Sequence, residues 1–435
     1  MLLYTTHITP RLAFMAHWLG MRLFGKPLAI VTNKEDLKDT DLVLNYTNQK
    51  LEKHASGWIQ PHGLLYETGI HQQNIKVKTR HGLPYFFETG GDYHFDLLAA
   101  GFYLIQRYEE YLPHGVDMYG RYAHENSLAF NHGFLQLPLV DLWVEDFKKT
   151  LPGDPGKWFI SNGCFLPTYD IDIAYSYKGK GLLRNMAGAS RSLAQWKLLR
   201  ERGQVLIGKQ QDPFDVYSDL DLLHHQFHLQ PIYFLLFAAK TQRYDKNLDP
   251  GTPEMKNLVK NITAKYDVGI HPSWQSGDDE TLVEKEIIAL QSSGITKVSA
   301  SRQHYIRMDL PHTYEALIRR GITRDYSMGY GSINGFRAST SYAYQWFNMQ
   351  LDQTTSLTVF PFCYMEANSV FEQNDTPAQA LKELQRYHDL IKRTGGTLIT
   401  IFHNHLIGYD KNGRKWMEMY QQFLAWQSLD PVAML

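Results

Sequence analysis

The stretch Pro167-Thr168-Tyr169-Asp170-Ile171-Asp172-Ile173-Ala174-Tyr175 decides how the fold is read. Apolar and aromatic residues dominate it and a proline opens it, which is the composition of a strand. Side chains alternate faces along a strand, so Asp170 and Asp172 share one face and Ile171 and Ile173 the other. Two carboxylates side by side at the end of a buried strand are costly unless something positive holds them. A metal ion, an arginine or a shared proton would each meet that need.

Downstream, β-like and α-like patterns alternate. The first strand is expected over 164–175 and a long helix over 182–202. Asp212-Pro213-Phe214-Asp215 predicts an acid-capped helix start. A buried strand is expected over 231–239, and a short one over Asp267–His271 that ends in histidine. Residues 280–291 have amphipathic helical spacing, and 296–301 form a strand followed by Arg302. A helix over 311–320 has proline in its first turn. A strand is expected over 357–362 and a helix over 377–393 that Gly395 and Gly396 close. The apolar strand Thr397–His403 runs into His403-Asn404-His405. Strands alternating with helices imply a parallel sheet or barrel, whose site lies at the carboxyl ends of the strands.

Upstream, Leu151-Pro152-Gly153-Asp154-Pro155-Gly156 is the expected boundary, because two prolines and two glycines in six residues continue neither a helix nor a central strand. Residues 1–150 are expected to be a small α/β accessory domain and 157–435 the main domain. In the first, strands are expected over 2–8, 27–32, 42–46 and 64–66, and helices over 11–24 and 95–111. His62, His71, His81 and His94 are scattered there without metal spacing, which suits surface or turn roles.

The whole chain has 435 residues, too many for one ordinary core. With 43% hydrophobic and 20% charged residues it has an ordinary globular composition. Lys and Arg number 44 against 45 acids, so charge makes no case for nucleic acid or an anionic membrane as partner. Cys164 and Cys363 make no disulfide framework and fit a reducing compartment. No basic segment precedes an apolar core at the start, and no run reaches a membrane span, so the expected location is the cytoplasm. The 27 Tyr, 22 Phe and 9 Trp suit core packing first and sugar stacking second.

The polar residues at the predicted strand ends converge. Asp170 and Asp172, His271, Arg302 and His304, and His403 and His405 all lie at or just past such an end. Taken singly, a histidine there is usually a hydrogen-bonded structural residue. Together they suit zinc or another divalent first-row metal, which would polarise a carbonyl and lower the pKa of its water. His224, His225 and His228 include an i, i+4 pair, but no glutamate follows the first histidine as in zinc proteases. They are expected to form a solvated helix face.

These segments resemble the polysaccharide deacetylase family, the NodB-like domain of carbohydrate esterase family four. Tyr169-Asp170-Ile171-Asp172 is similar to its first motif and Gly269-Ile270-His271-Pro272-Ser273-Trp274 to its second. Arg302-Gln303-His304-Tyr305 and the strand ending at His403 are similar to its later ones. The resemblance covers about residues 160–435 and is nearest to a bacterial branch with an uncharacterised N-terminal domain. That domain is matched at Gln106-Arg107-Tyr108-Glu109-Glu110-Tyr111 and Asp117-Met118-Tyr119-Gly120-Arg121. The resemblance implies a distorted (β/α) barrel of about seven strands. It implies a hydrolase of non-peptide carbon–nitrogen bonds that removes N-acetyl or O-acetyl groups from a sugar or polysaccharide with a divalent metal, zinc first. Asp170 would be the general base, Asp172 and His271 metal ligands, and Arg302 the partner that orients Asp170. The backbone N–H of Tyr305 would stabilise the oxyanion, and His403 would be the general acid.

One position departs from the pattern. The family's third ligand is a histidine four residues after the first, and here that residue is Gln275. A neutral amide is a poor zinc ligand, so His304 is the expected substitute; otherwise the metal is weak or lost. His405 shares a strand face with His403 if the strand continues, so either is a candidate acid; His403, which ends the apolar run, is preferred, and His405 is then a candidate for substrate binding. Trp274 is a candidate for sugar stacking or core packing, and Arg337 for substrate binding or a structural loop contact. Glu366 is a candidate support for the site. Two other functions remain open: hydrolysis of another amide on the same fold, and metal-free carbohydrate binding or scaffolding.

Overall fold

The apolar run around Tyr169 forms β1 (Cys164–Ile171), in which every residue after Cys164 is buried. The computed structural model describes residues 1–38, 42–52, 55–152, 158–159, 161–181, 185, 196–429 and 433–434. It is a mixed α/β chain of two compact units. Residues 1–163, 335–361 and 392–396 form the first, and residues 164–334, 362–391 and 397–435 the second.

In the second unit β1 is joined by β2 (Ile232–Leu236), β3 (Asp267–His271), β4 (Ala300–Ser301), β5 (Arg324–Asp325), β6 (Tyr364–Met365), β7 (Thr397–His403) and β8 (Ala433–Met434). All pairings are parallel, in the order β5-β4-β3-β2-β1-β7-β6, with β8 also on β1. A parallel sheet is covered on both faces, and β2 and β7 are accordingly continuous apolar runs. No pairing of β5 with β6 is found among the described residues, so the strands form an open path there rather than the closed barrel expected. The register sets His403 beside Asp170 and His271 beside Leu236. Parallel strands therefore bring the carboxyl ends carrying Asp170, His271, Ser301 and His403 to one edge.

The helices between the strands follow from local signals. Thr252 accepts from the Met255 N–H, Pro253 fills the first helical position, and Met255, Leu258, Val259 and Ile262 bury one face of Pro253–Thr263. Beneath the sheet, Tyr169 stacks on Tyr233 with centroids 4.9 Å apart. Its hydroxyl meets His224 Nε2 and the Tyr420 hydroxyl, each at 2.8 Å. Gly269 is required where β3 passes β2 and β4. A Cβ there would stand 2.6 Å from the Phe234 ring and 2.9 Å from the Ala300 carbonyl oxygen.

The first unit has a four-stranded parallel sheet in the order Ala29–Val31, Leu2–Tyr4, Val43–Asn45, Ala55–Trp58. Helix Pro10–Phe24 starts at the Thr9 cap and stops at Gly25, which takes the left-handed φ of 67°. Helix Leu97–Ile105 is buried throughout. Arg107 follows in the left-handed region at φ 53°. There its guanidinium donates to Glu110 Oε1 at 2.7 Å and Glu109 Oε1 at 2.6 Å. Arg337 reaches both oxygens of the same Glu110, at 2.8 and 2.6 Å. Burial alone would raise Glu110, but Arg337 and Arg107 hold it down at about 2.

Several elements differ from the sequence expectation. Leu64–Tyr66 is a 3-10 turn, opened by Gly63 at φ 123°. The helix expected over 95–111 breaks at Arg107, whose buried ion pairs need that turn. β1 stops at Ile171, short of residue 175. Asp212 starts no helix; its carboxylate accepts from the N–H groups of Ser176, Tyr177 and Lys178, and the helix begins at Tyr217. The strand expected over 357–362 belongs to the first unit as the second arm of an antiparallel hairpin, Tyr344–Asn348 with Gln353–Val359. β6 occupies the parallel position instead. The helix expected over 182–202 is described only from Trp196 to Leu206, apart from 185, and residues 153–156 of the expected boundary also lie outside the described residues. No described helix is long and apolar enough to cross a membrane.

Two outcomes are expected. Glu110→Ala removes the carboxylate that two buried guanidinium groups share and should cost about 3–5 kcal/mol in urea unfolding. Because folding depresses Glu110, its stabilisation is complete above the usual pKa and is lost as pH falls from about 4.5 to about 2; Glu110→Gln should flatten that part of the acid-unfolding curve. Gly269→Ala should destabilise by about 1–3 kcal/mol through overpacking against Phe234, and an unchanged urea midpoint would contradict the close approach.

Candidate metal centre

The strand edge collects one group of charged side chains. Asp170, on β1, and Asp172, just past it, both face His271: Nε2 lies 3.8 Å from Asp170 Oδ2 and 3.3 Å from Asp172 Oδ1. Arg302 follows β4 and is fully buried. Its guanidinium donates to Asp170 Oδ1 and Thr168 Oγ1, both at 2.8 Å, and to the Tyr326 carbonyl at 3.0 Å. The face of Phe234 lies 4.3 Å beneath it. Asp170 is thus clamped at one oxygen while the other faces the histidine.

Asp172 is surrounded by imidazoles. Besides His271, His304 Nε2 lies 3.6 Å and His403 Nε2 3.8 Å from its Oδ2. In all three rings the other nitrogen meets an oxygen acceptor. His271 Nδ1 donates to the Arg302 carbonyl at 2.5 Å, His304 Nδ1 to Asp245 Oδ1 at 2.8 Å, and His403 Nδ1 to Glu366 at 3.0 Å. A proton placed on Nδ1 leaves the Nε2 lone pair for a metal when the ring is neutral.

These residues fit a divalent metal. Ligand atoms of Asp172, His271 and His304 lie within 4.8 Å of one another. Asp172 Oδ1 is buried and has no hydrogen-bond partner, a costly state for a carboxylate oxygen that a cation would relieve. One carboxylate and two imidazoles also form a donor set that zinc accepts, with a position left open. The imidazoles and the carboxylates also shift one another's protonation. Burial alone would raise Asp172, but His304 and His403 hold it well below the usual carboxylate range. Burial likewise disfavours the imidazolium forms, yet Asp172 and Asp245 push His304 up to about 9, and Glu366 and Asp172 push His403 up to about 10.

Gln275 does not turn toward this group. Its amide nitrogen donates to Asp245 Oδ2 at 2.9 Å and to the Lys240 carbonyl at 3.0 Å. Tyr305 and Ile306, next to His304, hold φ of 60° and 56°, a strained turn for an aromatic and a β-branched residue. His405 is in the turn after β7 rather than on a continuing strand, and burial pushes it down to about 4. Trp274 is half-buried, with the Arg307 guanidinium 3.9 Å over its ring. Arg337 lies in the first unit, bound to Glu110 in the structural role of its two open readings. His224 is no solvated face: it is buried against Tyr169, and His228 ends its helix in the left-handed region.

Sequence reasoning missed Asp245, which sits in the loop after β2 with no periodic signal around it. Its only hint was an acid shortly past a strand end. Glu366 was noticed only as a residue after a predicted strand. It is fully buried and accepts from both the backbone N–H and the ring of His403.

Residues 1–153 match a family of unknown function, DUF7033. No curated protein matches the chain. A candidate polysaccharide deacetylase from Mycobacterium smegmatis superposes with a TM-score of 0.41 at 16% identity, covering 65% of this chain and 91% of that one. An allantoinase gives a TM-score of 0.41 at 12% identity, covering 65% and 90%. A candidate polysaccharide deacetylase from Pseudomonas aeruginosa gives 0.39 at 10% identity, covering 63% and 88%.

Equilibrium dialysis against zinc should find about one metal per chain, with binding weakened at least about 100-fold in Asp172→Ala and in His271→Ala. Wild-type affinity in either variant would remove the centre described here.

Proposed function

We propose that residues 157–435 form a metal-dependent hydrolase that removes acetyl groups from an N-acetylated sugar or polysaccharide, with residues 1–150 as an accessory domain. The observation that carries this reading is the division of labour between the two carboxylates. Arg302 holds Asp170, and Asp172 is left to the histidines with a buried oxygen unpartnered. That is the arrangement a base beside a metal requires, and it agrees with the motif order along the chain.

Asp172, His271 and His304 would hold the metal, zinc being the first choice for this donor set. Such an ion supplies Lewis acidity and lowers the pKa of water at its open position. The chain's own groups then move the protons. Asp170 Oδ2 takes the proton of the attacking water while Arg302 keeps the carboxylate in place. His403 is the acid, because its Nε2 faces the cluster and Glu366 anchors its Nδ1. It returns a proton to the leaving nitrogen of the amide. Burial disfavours the imidazolium form of His405, so His403 is the better proton donor of the two. The backbone N–H of Tyr305, in its strained turn, is the candidate contact for the oxyanion.

Acetate release from N-acetylated oligosaccharides checks this assignment. Asp170→Asn and His403→Gln should each lower kcat by about 10²–10⁴-fold while zinc affinity stays close to wild type. Full activity in Asp170→Asn would sink the role of base. Faster cleavage of simple linear or cyclic amides would move the substrate away from sugars.

A further inference from the structure

The third ligand position raises a question of its own: why position 275 carries glutamine and His304 joins the cluster. Asp245 connects the two facts. Its side chain is fully buried, and an ionised carboxylate there is costly unless donors surround it. Four do. Oδ1 accepts from the Trp274 N–H at 2.8 Å and from His304 Nδ1 at 2.8 Å. Oδ2 accepts from the Gln275 N–H at 3.3 Å and from Gln275 Nε2 at 2.9 Å. Asp245 thus ties the loop after β2 to the loops after β3 and β4.

Resting on the metal reading above, we propose that Asp245 is the positioning residue that makes His304 the third ligand, with Gln275 as the clamp that holds Asp245. The carboxylate keeps the His304 proton on Nδ1 and fixes the ring, so Nε2 is the atom offered to the metal. Gln275 suits the clamp because one amide nitrogen has two N–H groups, and here they serve Asp245 and the Lys240 carbonyl. A histidine at 275 that turned a lone pair to a metal would have one N–H left and could not bridge both. Asp245 touches no part of the reacting group itself; it acts through His304.

Zinc titration of the full, metal-free chain by calorimetry tests this. Asp245→Ala should weaken zinc binding about 10–100-fold, and Asp245→Asn, which keeps one acceptor for Nδ1, by less. Gln275→Ala removes only the clamp and should cost about three- to tenfold; it keeps the test open if Asp245→Ala does not fold. His304→Ala should be the most damaging of these. Adding Asp245→Ala to His304→Ala should change affinity by less than about twofold, because the carboxylate works through that ring. A purely structural Asp245 would weaken binding equally in both backgrounds, and that result overturns the proposal. So does wild-type affinity in both Asp245→Ala and Gln275→Ala, or wild-type affinity in His304→Ala. A wild-type chain that takes up no zinc overturns the metal reading as well, whereas a binding wild type with unaffected Asp245 variants overturns this proposal alone.

Discussion

Two carboxylates one residue apart, sunk at the edge of a parallel sheet, set the terms for the second unit. Like charges so placed repel each other and lose their hydration. The chain answers each separately. Asp170 receives a guanidinium that is itself buried and supported by Thr168, the Tyr326 carbonyl and the face of Phe234. Asp172 receives three imidazoles. The parallel register makes both answers possible, because it delivers the ends of β1, β3, β4 and β7 to the same edge. The absence of a side chain at Gly269 lets Phe234 sit where Arg302 needs it.

Each imidazole is in turn held by an acceptor from another segment. The Arg302 carbonyl serves His271, Asp245 serves His304, and Glu366 serves His403. Arg302 therefore does two jobs, its side chain orienting one carboxylate and its backbone orienting a ligand histidine. Buried carboxylates in this outer layer are tolerable because their oxygens are supplied with donors. The left-handed turn at Tyr305 and Ile306 costs on the order of 1–3 kcal/mol per residue. It is maintained where the chain must bend away immediately after presenting His304.

Much of this was legible beforehand. The Asp-x-Asp spacing, the strands Asp267–His271 and Thr397–His403, and the clustering of strand-end residues all follow from local patterns. His304 was expected as the substitute ligand, and the structure brings it to Asp172. What escaped had no local signature. Asp245 lies in an irregular loop, and nothing in its neighbours shows that it will meet Gln275 and His304. Arg337 was ambiguous because a loop arginine beside a site and one buried under a loop look alike in sequence. The run at 357–362 is a strand as expected over its first residues, but its antiparallel pairing with Tyr344–Asn348 was hidden, since an apolar strand does not announce its partner's direction. His224 was misjudged because it was read with His225 and His228 as one face, while its partner Tyr169 is distant in the chain.

By itself the sequence determined that a β/α unit would present Asp170, Asp172, His271, Arg302 and a terminal histidine at its strand ends. Periodicity and alternation are properties of consecutive residues, and consecutive residues are enough to reveal them. Only the tertiary structure decided which oxygen of which carboxylate each imidazole faces. It also decided that Gln275 turns to Asp245 rather than to the cluster, and that His403 rather than His405 faces Asp172. Those outcomes depend on side-chain directions in loops, where no repeating geometry links spacing along the chain to position in space.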